Sequence, residues 1–183
     1  STKRRVHQNR WKAPKMANTE FDYSQNHPGW KCEPLGFSNS WKIGNCDGNN
    51  NISGGCLVAS LAMAASYLGH PITPPVMNNM LKGRGLIDSS GDTLVNDTLS
   101  RFYGDIAFVE RKDWPTEPAP LNYFDVREDL DTEIIVLIDT SPAAGIQQHW
   151  LRVIGWDKYN DVLVVDPWDA KRKGLSAYAV RAN

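Results

Sequence analysis

Apolar positions in the first half of the chain follow a helical pattern. From Cys56 to Leu68 nearly every residue is apolar or small, and Gly69 and Pro71 then act as stop signals. This run predicts a buried helix, whose many alanines favour helix formation and let a neighbouring backbone come close.

Two shorter helices are predicted after this one. Thr73 followed by Pro74 supplies an N-cap residue and an N1 proline, so a helix is expected to open there and to end near Gly83. A third helix is expected between Asp92 and Gly104.

The second half changes period, to short β-rich runs separated by turn residues. The predicted strands are Ile106–Glu110, Glu133–Asp139, His149–Trp156, Val162–Asp166 and Leu175–Val180. The five residues between Trp156 and Val162 have the length and chemistry of a hairpin connection. Helices followed by an antiparallel sheet predict the α+β class.

Length and charge predict one globular domain with an N-terminal arm. The 183 residues fit a single domain, expected to span residues 30–183. Residues 1–29 are polar and weakly patterned, and are predicted to be a basic, poorly structured arm or linker. Residues 1–15 hold six basic and no acidic side chains, which leaves a net charge of −7 on the remainder.

The net charge and the lengths of the apolar runs argue against two classes of partner. A net charge of −1 argues against a dedicated nucleic-acid binder, which normally carries a basic face. No apolar run reaches the 18 or so residues needed to cross a bilayer, so no membrane partner is expected.

The three cysteines leave at least one thiol unpaired. Cys32 and Cys46 lie in irregular stretches, and a disulfide between them is one option that the sequence leaves open. Cys56 opens the predicted buried helix, where the dipole and the orphan N–H groups favour a negative charge. The thiolate is the nucleophilic form of cysteine, so this position favours reactivity.

His149 and Asp166 are the residues expected to complete a catalytic group. His149 lies where a loop enters a predicted strand, and Asp166 ends the strand paired to it by the hairpin. The 17-residue separation allows one strand, the turn and the return strand, which brings Asp166 back beside His149. A base held by an orienting carboxylate is the arrangement that activates a thiol.

Each of these residues also has a plain structural explanation. A cysteine at a helix start is often a small buried hydrophobe, and a lone histidine is often a hydrogen-bonded core residue. Asp166 followed by Pro167 alone would mark a turn. The catalytic hypothesis therefore depends on the conjunction of the three residues.

Metal binding and cofactors are not expected. Asp47, Asn49 and Asn51 alternate as in a calcium loop, but Ile52 replaces the turn glycine. The cysteine spacing does not match a zinc site.

Several motifs in the expected order resemble the papain-like cysteine peptidases related to bacteriocin-processing leader peptidases. They cover about residues 30–180 and comprise Gly36-Phe37-Ser38, Gly55–Met63, Ile72-Thr73-Pro74, His149-Trp150, Val153–Asp157 and Val165–Trp168. The resemblance implies a papain-like fold, with Cys56 as nucleophile, His149 as base and acid, and Asp166 as the orienting group. It places the chain nearer to a soluble, phage- or secretion-associated branch.

The motif differs from the family pattern at the oxyanion donor. The family places a glutamine six residues before the cysteine, and this sequence has Asn50 there. Asn50 is the predicted donor, although its side chain is shorter. Gln148 and Trp150, which flank His149, are the predicted substrate-binding residues.

The function predicted from these residues is hydrolysis of a peptide bond through an acyl-enzyme. Peptidoglycan stem peptides are the substrate implied by analogy, in an extracellular or virion-associated setting and as part of a larger multidomain chain or phage particle. The alternative is a catalytically idle papain-fold module used for assembly or binding, which the asparagine at position 50 favours. Acyl transfer to an amine is a third hypothesis, because the same triad serves transfer of the acyl group to water and to an amine.

Overall fold

The computed structural model describes residues 18–48, 53–88, 93–111, 133–139, 148–157, 159 and 161–179. Within these ranges the helices come first, with a sheet and a short last helix after them, which confirms the α+β class. The helices are α1 (Cys56–Tyr67), α2 (Pro74–Gly83), α3 (Thr98–Phe102) and α4 (Ser176–Ala179). The strands are β1 (Ile134–Asp139), β2 (Gln148–Trp156), β3 (Val162–Asp166) and β4 (Lys171–Gly174).

Helix α1 is the buried helix that the alanine-rich run predicted. Every residue from Cys56 to Ser66 is buried. Gly55 precedes the helix at a point where a Cβ would collide with the carbonyl oxygen of Ile43, so only glycine lets the two backbones meet. Gly69, with φ of 97°, ends the helix in the left-handed region.

The four strands form one antiparallel sheet in the order β1-β2-β3-β4. Helix α1 covers one face, where Met63 packs against Ile154 and Val165. The opposite face carries a second apolar cluster, which includes Leu151 and Val164. Strands β2 and β3 are consecutive and pair antiparallel, as the predicted hairpin requires.

Two predicted strands are wrong. Residues 106–110 pair with no strand among the described residues and are mostly exposed. The run Leu175–Val180 was expected to be extended, but Ser176–Ala179 is helical, and Val180 lies outside the described residues. Leu175 and Tyr178 pack on the same apolar cluster with a spacing of three, which suits a helical turn better than a strand. The last strand, β4, is made by the basic run before them.

The polar segment before residue 30 is attached to the sheet. Residues 18–29 contain turns without a regular helix or strand, yet Gln25 is 2% exposed and its N–H donates to the carbonyl of Pro167 at 2.6 Å. Asp22 forms an ion pair with Arg172 at 2.7 Å. Packing against the domain therefore begins before residue 30. Residues 1–17, the more basic part of the predicted arm, lie outside the described residues.

A disulfide joins Cys32 to Cys46, with their Cα atoms 4.6 Å apart. The pairing that the sequence left open is thus made, and Cys56 is the free cysteine. No helix in the described part of the chain is both long and apolar enough to span a membrane.

Candidate active site

The Cys56 side chain lies at the first turn of α1, next to the glycine that caps the helix. It is 8% exposed. The N–H groups of the first helical turn have no partner within the helix, so the sulfur sits at the end where negative charge is favoured.

His149, the second residue of β2, lies between Cys56 and Asp166. Its Nε2 is 2.7 Å from Oδ1 of Asp166, at the end of β3. On its other side the imidazole interacts with the Cys56 side chain through a hydrogen bond and through charge. Because Asp166 takes Nε2, Nδ1 is the ring nitrogen left for the thiol. The fold thus brings together three residues that are separated by up to 110 positions in the sequence.

The Asp166 carboxylate is almost fully buried and accepts hydrogen bonds on both oxygens. Besides His149, Oδ1 accepts from the backbone N–H of Trp168 at 2.8 Å. Oδ2 accepts from Nζ of Lys173 at 2.8 Å and from the hydroxyl of Tyr178 at 2.5 Å. A buried charge requires such partners, and here they are provided by the turn after β3, by β4 and by α4.

Residues 24–26 form hydrogen bonds both to the turn after β3 and to the segment that leads into α1. The carbonyl of Trp168 accepts from Oγ of Ser24 at 2.9 Å and from Nδ2 of Asn26 at 2.8 Å, which fixes the turn behind Asp166. Nε2 of Gln25 donates to Oγ of Ser53, three residues before the free cysteine, at 2.8 Å. A single segment therefore links the end of β3 to the approach to α1.

The contacts shift the pKa values of the acid and the base in opposite directions. Burial alone would lower the pKa of His149, but hydrogen bonds with Asp166 and Cys56 and the charges of these groups raise it to about 9. Burial would raise the pKa of Asp166, whereas hydrogen bonds from His149, Lys173 and Tyr178 hold it well below its ordinary value. The arrangement favours an imidazolium beside a carboxylate.

We expect the free energy of unfolding to fall as the pH rises from 6.5 to about 9. The pKa of His149 is raised from 6.5 to about 9 on folding, so its contribution is complete below pH 6.5 and is lost as the pH rises through about 9. The loss is on the order of 2–3 kcal/mol. Urea unfolding at pH 6 and pH 9.5 measures it. The variant His149→Ala lacks the group, and a wild-type loss no larger than that of the variant would contradict the prediction.

A groove of about 200 Å³ is lined by sequence neighbours of Cys56 and His149, although neither of these residues nor Asp166 lines it. Gln148 and Trp150, the predicted substrate-binding residues, both line it, and Leu57 follows the free cysteine. The remaining lining residues are Thr93, Asn96, Arg111 and Leu137. Nε1 of Trp150 is buried and has no hydrogen-bond partner among the described residues. Three of the seven lining residues are thus apolar and four are polar or charged.

The predicted oxyanion donor, Asn50, lies outside the described residues, as do Asn49, Asn51 and Ile52 of the calcium-like run. Across the described part of the chain, no three His, Cys, Asp or Glu side chains are grouped as metal ligands.

Sequence reasoning missed Lys173 and Tyr178. The register of β3 and β4 pairs Val164 with Lys173, which puts the lysine two positions along the strand from Asp166. That register would have signalled the contact had β4 been predicted. For Tyr178, which reaches the carboxylate from a helix after the last strand, no sequence signal was available.

A buried helix that begins with a free cysteine, packed on an antiparallel sheet that carries a hydrogen-bonded His–Asp pair, has the architecture of a papain-like cysteine peptidase. The model of the Peptidase_C39 like family matches residues 39–182, which is most of the chain. The chain belongs to this family of cysteine peptidases. Comparison with curated proteins and with solved structures gives no significant match.

Proposed function

We propose that this protein is a cysteine peptidase that hydrolyses a peptide bond through an acyl-enzyme. Cys56 is the nucleophile, His149 the general acid and base, and Asp166 the orienting carboxylate. The observation that carries the proposal is the position of the imidazole, held by Asp166 at 2.7 Å on one nitrogen and facing the free thiol with the other side of the ring. This is the relation of nucleophile, base and orienter that thiol hydrolysis requires.

In the first half of the reaction, the Cys56 thiolate attacks the carbonyl carbon and forms a C–S bond. The carbonyl electrons move onto oxygen and give a tetrahedral oxyanion. As the carbonyl re-forms, the C–N bond breaks and the His149 imidazolium gives its proton to the leaving amine. A thioester and a neutral imidazole remain.

In the second half, neutral His149 removes a proton from water as the water oxygen attacks the thioester carbonyl. The C–S bond then breaks, the carboxylic acid leaves, and the thiolate and imidazolium are restored. Asp166 keeps its position throughout and stabilises the imidazolium without taking its proton. No cofactor is needed for either half.

The oxyanion is proposed to be bound by the backbone N–H of Cys56 at the start of α1, together with Asn50. Loss of one such donor typically lowers the rate about 10²–10³-fold. An asparagine that reaches the oxyanion less well than the family's glutamine would therefore slow the enzyme without abolishing the reaction.

Alkylation of Cys56 by iodoacetamide tests the proposed pairing. At pH 6 the imidazolium of His149 is expected to stabilise the thiolate, so His149→Ala should lower the alkylation rate about tenfold or more. At pH 9.5 the two proteins should react at similar rates. The ratio of the alkylation rate at pH 6 to that at pH 9.5, taken within each protein, corrects for any change in access to the sulfur. Mass spectrometry after alkylation reports Cys56 alone, since Cys32 and Cys46 are joined.

A matched control for this experiment is His70→Ala. His70 lies beyond the far end of α1 and pairs with Asp105 at 2.9 Å. We expect its rate ratio to equal that of the wild type. If the rate ratio of His149→Ala also equals that of the wild type, the result favours the catalytically idle papain-fold module over the peptidase.

The substrate class is proposed to be peptidic, with the stem peptides of peptidoglycan as one source. The disulfide between Cys32 and Cys46 supports an oxidising, extracellular or virion-associated setting, since such bonds are rare where thiols are kept reduced. Incubation with purified peptidoglycan and with a pool of unstructured peptides, followed by mass spectrometry, distinguishes the two substrates. Adding an amine acceptor distinguishes hydrolysis from acyl transfer.

A further inference from the structure

Three of the four hydrogen-bond donors to the Asp166 carboxylate have no part in the proposed triad, and two of these three, Lys173 and Tyr178, are side chains. Lys173 and Tyr178 both bind Oδ2, while His149 and the Trp168 N–H bind Oδ1. The carboxylate is 5% exposed, so these bonds form where water does not weaken them. Both donors reach it from the C-terminal part of the chain, at β4 and α4.

We propose that Lys173 and Tyr178 are positioning residues that hold the Asp166 carboxylate against His149 and take up part of its negative charge. The inference rests on the peptidase function proposed above. Without donors on Oδ2, the carboxylate could turn about its Cβ–Cγ bond, and more of its charge would act on the imidazole. The two donors restrict that rotation and share the charge.

Lys173 is itself held between two carboxylates. Its Nζ lies 2.8 Å from Oδ2 of Asp166 and 3.2 Å from Oδ2 of Asp169, in the turn before β4. The described titratable and charged groups around the pair of His149 and Asp166 are Cys56 from α1, Asp169 from the turn, Lys173 from β4 and Tyr178 from α4. Lys173 is the cation in this set besides the imidazolium, so its removal leaves Asp166 and Asp169 less compensated.

Charge sharing affects the reaction because His149 must act in both protonation states. The imidazolium protonates the leaving amine, and the neutral imidazole activates water. A stronger electrostatic attraction from Asp166 would keep the imidazole protonated to higher pH and slow deacylation. Lys173 and Tyr178 therefore bring the pH at which His149 loses its proton closer to neutrality.

Lys173→Met and Tyr178→Phe in the full chain test this inference, because each removes the donor and keeps most of the side chain. The protonation midpoint of His149, followed by ¹⁵N NMR, is expected to rise by roughly one pH unit in Lys173→Met and by less in Tyr178→Phe. The neutral fraction at pH 7, and with it the rate of deacylation, should fall about tenfold for each unit. Lys173→Arg keeps the charge and a donor and should restore the midpoint.

Lys171→Met is the matched control. Lys171 lies on the same strand, its side chain is 74% exposed and its Nζ lies 3.7 Å from Oδ2 of Asp169, so the loss of its charge should leave the midpoint unchanged. A midpoint that stays or falls in both test variants overturns the inference, even if the wild type hydrolyses peptides. A midpoint that rises in both, in a chain that cleaves neither peptides nor peptidoglycan, supports charge sharing and overturns the peptidase function. Should Lys173→Met not fold, Tyr178→Phe decides, because it keeps the ring that packs on the apolar cluster of Leu151 and Val164.

Discussion

Peptide hydrolysis is expected to disappear when Cys56 is replaced by serine. The hydroxyl is a far weaker nucleophile at neutral pH, and His149 is proposed to pair with a thiolate. By comparison with nucleophile removal in other hydrolases, we expect kcat to fall at least about 10⁴-fold. Cleavage of the pool of unstructured peptides, followed by mass spectrometry, measures the loss.

One further variant makes this result specific. Ser60→Ala changes a buried residue one turn further along α1, whose hydroxyl donates to the carbonyl of Trp150 at 3.3 Å. It should keep most of the activity, because it removes one hydrogen bond and no reacting group. Cleavage by Cys56→Ser at a rate near that of the wild type would rule out the thiol as nucleophile.

Asp166→Ala is expected to damage both activity and stability. Removing the orienting carboxylate should lower kcat by about 10³–10⁴-fold, since the imidazole loses its fixed tautomer and direction. It also leaves His149, Lys173 and Tyr178 without their shared acceptor in a buried site. Breaking a buried ion pair in this way typically costs about 3–5 kcal/mol. Steady-state kinetics and urea unfolding at pH 7 measure the two effects separately.

Asp166→Asn separates orientation from charge. The amide has one acceptor oxygen in place of two, so at least one pair of donors must face an NH₂ group. We therefore expect an activity between those of the alanine variant and the wild type, with a smaller loss of stability. Full activity in both variants would show that the carboxylate has no orienting role.

The pattern of the first half was sufficient to predict the helix that carries the free cysteine. Its apolar and alanine-rich run is local, and Gly69 and Pro71 define its end within the same segment. The hairpin of β2 and β3 was predictable for a similar reason, because the turn residues between Trp156 and Val162 fix the pairing of the strands next to them. This hairpin brings Asp166 back to His149.

The C-terminal end was mispredicted because its pattern is ambiguous over a short span. The six-residue run Leu175–Val180 is short enough to be taken as a strand or as one helical turn, and the contact of Leu175 and Tyr178 with the same apolar cluster favours the helix. The strand before them, Lys171–Gly174, is basic and has no apolar alternation of its own. It is a strand because β3 offers a free edge to pair with.

What the sequence by itself determined is therefore local: the buried helix that starts at Cys56, the hairpin that pairs His149 with Asp166, and a chemistry consistent with thiol hydrolysis. Only the tertiary structure decided which groups surround the Asp166 carboxylate and that residues 24–26 form hydrogen bonds to the turn that follows it. Those contacts join segments up to 144 residues apart. No periodicity encodes such distances, because they depend on how the sheet, the helices and the N-terminal segment pack together.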